Sequence, residues 1–345
     1  MRVLGLTGAT EISAGSDFTC VLLTSAAIKC WGATANGELG HGGARGRSAS
    51  APVSVLGIRD ATEVSAGTDH ACALLRSRHL LCWGDNLNGE LGDGKNGGSS
   101  AKPVKVRGIE DAIQVSAGYY HTCAVLSSGS VDCWGSGADG DLGNGTTTTM
   151  ADIPEPVSRI HKAVEVSVGD HHSCALLSNG TVVCWGYNGL GELGDGTSHG
   201  PAHCDGDPCS AIPVAVHGIR HATQITAQAS DQTCALLTDR RVECWGWNSD
   251  GQLGDGTTTG PDTCTDIYHQ RQSCSVTPVK VHGIADVTEI AVSSHACALL
   301  ASGAVKCWGW NADGALGDGS FTGPDKCEGG QTLACTAEPV GVVGL

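Results

Sequence analysis

The chain has 345 residues, a net charge of −16, 51 glycines and 18 cysteines, with 8 tryptophans but only 2 phenylalanines and 2 methionines. Glycine at this level without a Gly-X-Y period excludes collagen, and 40% apolar residues suffice for a packed core. No apolar run is long enough for a membrane-spanning helix, and an acidic chain without a Lys/Arg cluster argues against nucleic acid as a partner.

From the N-terminus, Met1 leads through Arg2-Val3-Leu4-Gly5-Leu6 straight into repeat sequence, with no signal-peptide pattern. Export is then expected to use a leader removed from this sequence or another signal. The tripeptide Cys-Trp-Gly then recurs around Trp31, Trp83, Trp134, Trp185, Trp245 and Trp308. The spacing is about 51 residues at first and about 60 later, which is a repeat-protein period. The repeats are placed at approximately 1–51, 52–102, 103–155, 156–212, 213–277 and 278–345.

Each repeat reads as four short strands. In the third, Pro103–Ile109 alternates, Ala112–Ser116 follows, then His121–Leu126 and Ser130–Trp134. Gly-bearing turns divide them, and no window has helical periodicity. After Trp-Gly comes a loop ending in Gly-x-Leu-Gly, such as Gly89-Glu90-Leu91-Gly92, and then an Asp-Gly or Asn-Gly turn. Six sets of four strands predict an all-β fold, a single β-propeller of six four-stranded blades stapled by disulfides. The segment Pro339–Leu345 duplicates the element at Arg2–Leu6. It is read as a terminal overlap of a six-bladed ring, a remnant of a trimmed seven-bladed one, or a strand donated to a second copy.

The cysteines follow from hairpin geometry. In the third repeat the turn centres on Ser127-Ser128-Gly129, so counting outward sets Val125 opposite Val131 and Cys123 opposite Cys133. The same Cys-x9-Cys spacing pairs Cys20 with Cys30, Cys72 with Cys82, Cys174 with Cys184, Cys234 with Cys244 and Cys297 with Cys307. Ala26, Arg78 and Arg240 replace the turn glycine and are expected to strain it. The other six cysteines lie in longer loops as Cys204 with Cys209, Cys264 with Cys274 and Cys327 with Cys335. An even count in local pairs implies an oxidising compartment, hence a secreted or cell-surface protein.

This pattern resembles the regulator of chromosome condensation repeat family, through Val115-Ser116-Ala117-Gly118, His121-Thr122-Cys123-Ala124, Gly191-Glu192-Leu193-Gly194-Asp195-Gly196-Thr197 and the Pro213-Val214-x-Val216 strand. The Cys-rich version is similar to repeats of bacterial exported members. The resemblance implies a propeller, seven-bladed in known members, that binds proteins; one member covers the active-site mouth of β-lactamase. Guanine-nucleotide exchange is disfavoured by the cysteines, the acidic charge and the lack of a basic tail. A plant light-receptor role is disfavoured because Thr68-Asp69-His70, Tyr119-Tyr120-His121 and Asp170-His171-His172 stand where Trp-Arg-His belongs.

The leading function is therefore an extracellular or surface scaffold that binds a protein partner or itself through the long loops 197–212, 257–277 and 320–338. Candidate binding residues are Tyr187, Trp247 and Trp310, aligned after Trp-Gly as an exposed aromatic strip, with Tyr268, Asp170 and His171. The alternative is a carbohydrate-binding or carbohydrate-active propeller with a glycan ligand. No catalytic residues, metal or cofactor are assigned. Zinc at His-x-Cys is disfavoured because only three ligands are evident where structural zinc takes four, and no Asp-x-Asp-x-Asp-Gly calcium loop occurs. The His itself is expected to be a hydrogen-bonded packing residue, and the Trp of Cys-Trp-Gly a core residue. Asn144 and Asn179 sit in glycosylation sequons.

Overall fold

The computed structural model describes all residues except 1, 2, 4, 44, 45, 47, 148, 205, 229, 326, 328–333 and 345, and the side chain of residue 203 is also left aside. Arg2 and Leu4 of the Arg2–Leu6 element, Leu345 and part of the 320–338 loop thus lie outside the described residues. The described chain is all-β, a propeller of six blades, and it divides into two compact units, Met1–Val168 and Gly169–Leu345.

In unit 1, β1 (Ala9–Ala14), β2 (Phe18–Leu23), β3 (Ile28–Gly32) and β4 (Ala49–Ser54) form the first blade. The second comprises β5 (Ala61–Ala66), β6 (His70–Leu75), β7 (Leu80–Asp85) and β8 (Ser99–Lys105). The third comprises β9 (Ala112–Ala117), β10 (His121–Leu126), β11 (Val131–Ser136) and β12 (Met150–Pro156). The unit ends on β13 (Ala163–Val168), the first strand of the fourth blade.

Unit 2 supplies the rest of that blade as β14 (His172–Leu177), β15 (Val182–Tyr187), β16 (Ala202–Cys204) and β17 (Asp207–Ala215). The fifth blade comprises β18 (Ala222–Thr226), β19 (Gln232–Leu237), β20 (Val242–Trp247), β21 (Asp262–Thr265) and β22 (Arg271–Lys280). The last comprises β23 (Val287–Val292), β24 (His295–Leu300), β25 (Val305–Trp310) and β26 (Cys335–Gly341). The fourth and fifth blades gain a fifth strand from the disulfide loops, where β16 pairs with β17 and β21 with β22.

Blade boundaries differ from the expected repeats by one strand. The strand ending in Pro-Val pairs backward with the Cys-Trp-Gly strand before it, as Cys82 with Val104 and Cys184 with Val214. The segment at Pro339 is therefore the outer strand of the last blade, Cys307 opposite Val340, and is not a spare strand for donation.

The central hairpin has the expected register, with Cys123 opposite Cys133 and Val125 opposite Val131. All nine expected pairs are disulfides; the six hairpin ones have Cα atoms 4.0 to 4.1 Å apart. Within each unit the sulfurs are packed between successive blades. In unit 1, Cys20, Cys30 and Leu22 of the first blade pack against Val64, Ala66, Ala73 and Trp83 of the second. Cys72, Cys82 and Leu74 meet Val115, Ala124 and Trp134 in the same way. Within unit 2, Cys174 and Cys184 meet Ile225, Ala235 and Trp245. The tryptophan needs a polar partner once buried. Trp83 donates to the Glu38 carbonyl at 2.7 Å, Trp134 to Glu90 at 2.7 Å, Trp245 to Glu192 at 2.8 Å and Trp308 to Gln252 at 2.8 Å.

Inner strands of successive blades are joined by side chains, which explains the Val-Ser-Ala-Gly motif. Ser13 Oγ accepts from Ala66 N at 2.9 Å and Ser65 Oγ from Ala117 N at 2.9 Å. Two residues earlier a Glu or Gln does the same: Glu63 accepts from Val115 N at 3.3 Å and Gln114 from Val166 N at 3.0 Å. Without a preceding blade packed on it in unit 1, β1 leaves Ile12 68% exposed, whereas Val64 and Val115 at that place are buried. The motif's histidine is a packing residue: His70 Nε2 meets Thr122 Oγ1 and His172 Nε2 meets Thr233 Oγ1, both at 2.8 Å. Burial lowers His70 to about 4 and His172 to about 3, so both are neutral.

Two predictions follow from turns and inner strands. Gly129 has φ +79°, and a Cβ there would meet the Lys162 backbone at 2.7 Å, whereas Arg240 takes φ +63° with a side chain. Gly129→Ala should therefore lower the melting temperature and Arg240→Gly raise it, the latter by up to roughly 1 kcal/mol in a denaturant titration. Glu63 is raised to about 8, first by burial and then by Glu11 and Glu165, while its bond from Val115 opposes the rise. A carboxyl that binds its proton more tightly when folded loses stabilising effect as pH rises from the unfolded value, about 4.3, through about 8. Glu63→Gln should flatten the loss of thermal stability over that window.

Candidate functional site

Loops after the first strand and after Trp-Gly meet at one end of each blade, and side chains hold them. In the second loop an Asn carboxamide accepts from the Leu backbone five residues on: Asn188 from Leu193 N at 3.0 Å and Asn248 from Leu253 N at 3.0 Å. The residue before that Leu folds back on its own turn, Glu192 accepting from Leu190 N at 2.9 Å and Gln252 from Asp250 N at 2.8 Å. Buried polar side chains thus replace the backbone pairing that the loops lack.

Unit 2 draws several such loops into one recess. Asp170 N donates to Ser230 O at 3.2 Å, Tyr187 N to His171 O at 2.7 Å, and Trp247 N to Asp231 O at 3.0 Å. These bonds gather Asp170, His171, Tyr187 and Glu192 of the fourth blade with Asp231 and Trp247 of the fifth. The β21–β22 hairpin lies over them: Thr265 N donates to Gly189 O at 3.1 Å and Tyr187 Oη to Thr265 O at 3.4 Å. Tyr187 is 2% exposed, packed with Leu190 and the Cys264–Cys274 pair. The expected aromatic strip is corrected accordingly: the inserted hairpin buries Tyr187, while Trp247 and Trp310 are half-buried. The ring of His171 stands edge-on to Tyr187, with centroids 6.4 Å apart.

Acidic groups dominate the recess. Burial first, and Asp231 second, push Asp170 up to about 7, while His171 pulls it down. Asp231 is raised by burial and by Asp266, again against His171. Glu192 is raised well above the carboxylate range by burial and by Asp231. Tyr187 is held protonated by burial and by Glu192, Asp207, Asp231 and Asp266. Such a cluster holds protons near neutrality or attracts a cation.

Tyr268 lies apart from the recess floor, at the tip of the hairpin, 76% exposed beside exposed Ile267. Asp266 fixes that tip by accepting from Tyr268 N at 2.9 Å, Gln270 N at 2.8 Å and Gln272 Nε2 at 2.8 Å. Asn179 is exposed in its hairpin turn, and Asn144 donates to Glu155. The cysteines of the His-x-Cys strands are all oxidised, so they offer no thiolate to a metal. Glu192 and Asp231 were not among the sequence candidates; the only signal was that Asp231 follows a departure from the Ala-Gly of the repeat, at Ala227-Gln228.

Asp231→Asn should lower the apparent pKa of Asp170 from about 7, read by carboxyl carbon NMR. Because the raised value means stability falls as pH climbs from about 4 through 7, the variant should also narrow that fall. An unchanged Asp170 titration would remove Asp231 from its surroundings.

Comparison with known proteins bears on the whole chain. The family profile described as RCC1-like domain matches residues 2–271, and the regulator of chromosome condensation (RCC1) repeat matches residues 291–315. The ultraviolet-B receptor UVR8 of Arabidopsis thaliana is 30% identical over 321 residues, 90% of this chain and 67% of that protein. The probable E3 ubiquitin-protein ligase HERC6 of Homo sapiens is 30% identical over 264 residues, 74% of this chain but only 25% of that protein. Among solved structures, human WBSCR16 superposes with a TM-score of 0.78 at 21% identity, covering 99% of this chain and 84% of that one. Prp20p of Saccharomyces cerevisiae gives 0.75 at 20% identity, covering 97% and 76%. With its blades, its motif residues and these matches in agreement, the chain belongs to the RCC1 family of β-propellers.

Proposed function

We propose that this protein is a binding scaffold that engages a protein partner through the stapled hairpin of its fifth blade, in an oxidising extracellular or cell-surface compartment. The observation that carries the reading is the tip itself. Ile267 and Tyr268 are exposed on a turn that Asp266 and the Cys264–Cys274 bridge hold in one conformation. A large amphipathic side chain presented rigidly loses little entropy on binding, which is how interface anchors gain affinity. The nine disulfides fit an oxidising environment. Prp20p, which shares the fold, is described by its binding to Gsp1p and histones, so propellers of this kind serve as protein-binding bodies. No enzymatic role is assigned; the ligase named for HERC6 is four times the length of the stretch matched here.

Affinity capture from the protein's natural setting, with quantitative mass spectrometry, tests the reading. A partner held by the wild type should be weakened about tenfold or more by Tyr268→Ala with Ile267→Ser. Equal retention by that variant would overturn the hairpin as the anchor. In the same preparation an intact mass about 18 Da below the reduced chain supports oxidised export, and a fully reduced mass refutes the compartment.

A further inference from the structure

Unit 2 contains polar atoms that its own chain leaves unsatisfied, and they lie together. Glu192 is fully buried; one carboxylate oxygen accepts from Leu190 N, and the other has no hydrogen-bond partner. Asp170 Oδ1 is a second buried acceptor without a partner; the indole Nε1 of Trp247 is also unpartnered, but it is a donor, so Trp247 offers a guanidinium its ring face and not this atom. The backbone bonds from Asp170 to Ser230 and from Trp247 to Asp231 bring these groups to the same recess. Asp170, His171 and Asp231 are half-buried and form its accessible side, with Glu192 behind them. Among the described residues, the only basic group acting on Asp170, Asp231 or Glu192 is His171. Asp266, at the base of the hairpin tip, adds a further carboxylate that acts on Asp231.

We propose that this recess is a guanidinium pocket, which takes an arginine side chain of the partner protein between the carboxylates of Asp170, Asp231 and Glu192, alongside Trp247. The proposal rests on the protein-binding reading above and specifies the chemistry the partner must present. Arginine fits better than the other cations. Its planar fork offers five donors to acceptors that come from different loops, and it stacks on aromatic faces. A divalent ion needs convergent ligands, whereas Asp170, Asp231 and Glu192 come from separate loops and do not form a group close enough to share an ion. A neutral sugar satisfies hydrogen bonds but brings no positive charge to a cluster of three acidic groups. The hairpin that lies over the recess through Thr265 also carries exposed Ile267 and Tyr268 at its tip, so an arginine flanked by apolar residues would meet both features.

The test is a titration of the oxidised, full chain with N-acetyl-arginine amide, followed by the indole 15N–H resonance of Trp247 and by calorimetry. Saturable binding is expected, about tenfold weaker for the isosteric N-acetyl-citrulline amide, which lacks the charge. Asp231→Asn and Glu192→Gln should each weaken the arginine response about tenfold, with melting temperature measured on both to show that they fold. Asp170→Asn is the second variant if Glu192→Gln proves unstable. Equal binding of arginine and citrulline derivatives, or a response to cellobiose or calcium in place of arginine, would overturn the pocket. So would an arginine response that survives both folded variants. Partner capture that depends on Tyr268 without any arginine response sinks the pocket alone, whereas loss of both sinks the scaffold reading as well.

Discussion

Everything in this molecule depends on how one blade meets the next. A hairpin disulfide presents a dry, compact face, small residues of the following blade close upon it, and that blade's tryptophan reaches back to a loop carbonyl. The indole bond is short in each case, 2.7 to 2.8 Å. It ties the loop that carries Glu38, Glu90, Glu192 or Gln252 to the core of its neighbour, so the loops where ligands would bind are anchored by the same contact that holds the blades together. With few large aromatics apart from these tryptophans, the chain relies on close approach. Gly67 shows this: a Cβ there would sit 2.2 Å from the Gly118 carbonyl.

The recess of unit 2 arises by elaborating that shared plan. The acidic residue before the Leu of Gly-x-Leu-Gly is a turn brace in the first, second and fourth blades, as Glu38, Glu90 and Glu192. In the fourth blade an inserted hairpin from the fifth covers the brace and the tyrosine beside it, so a residue with a structural duty elsewhere becomes part of a crowded acidic pocket. Burial first, and neighbouring carboxylates after it, raise Asp170, Asp231 and Glu192 together, and His171 only partly offsets the rise. The pocket is a place where repeat symmetry is broken, and a broken symmetry is where a repeat scaffold acquires an individual role.

Hairpin register was legible in the sequence because a three-residue turn leaves only one way to set Cys123 opposite Cys133. Blade boundaries were not, because Pro-Val strands alternate equally well whichever neighbour they join; only the pairing of Val104 with Cys82 decides. Tyr187 aligned with Trp247 and Trp310 by position, yet alignment carries no information about the hairpin that folds over it from about 75 residues later. Glu192 was hidden for the opposite reason. It looks like Glu38 and Glu90, and its difference lies in what surrounds it, which one sequence read by period does not reveal. The Ser and Glu or Gln of the inner strands were visible as a motif, but their bonds to the next blade's backbone need the blades side by side.

The direction of the indole bonds has a further meaning for how the chain assembles. Trp83, Trp134, Trp245 and Trp308 each donate to a carbonyl that precedes them by 44 to 56 residues. A chain emerging from its N-terminus therefore finds every acceptor already laid down when the donor appears. The disulfides obey the same economy, each closing within 10 residues or fewer. Eighteen cysteines allow an enormous number of wrong pairings, but nearly all of them require partners from different hairpins. Local closure, one hairpin at a time, lets correct bridges form before the competitors have been made.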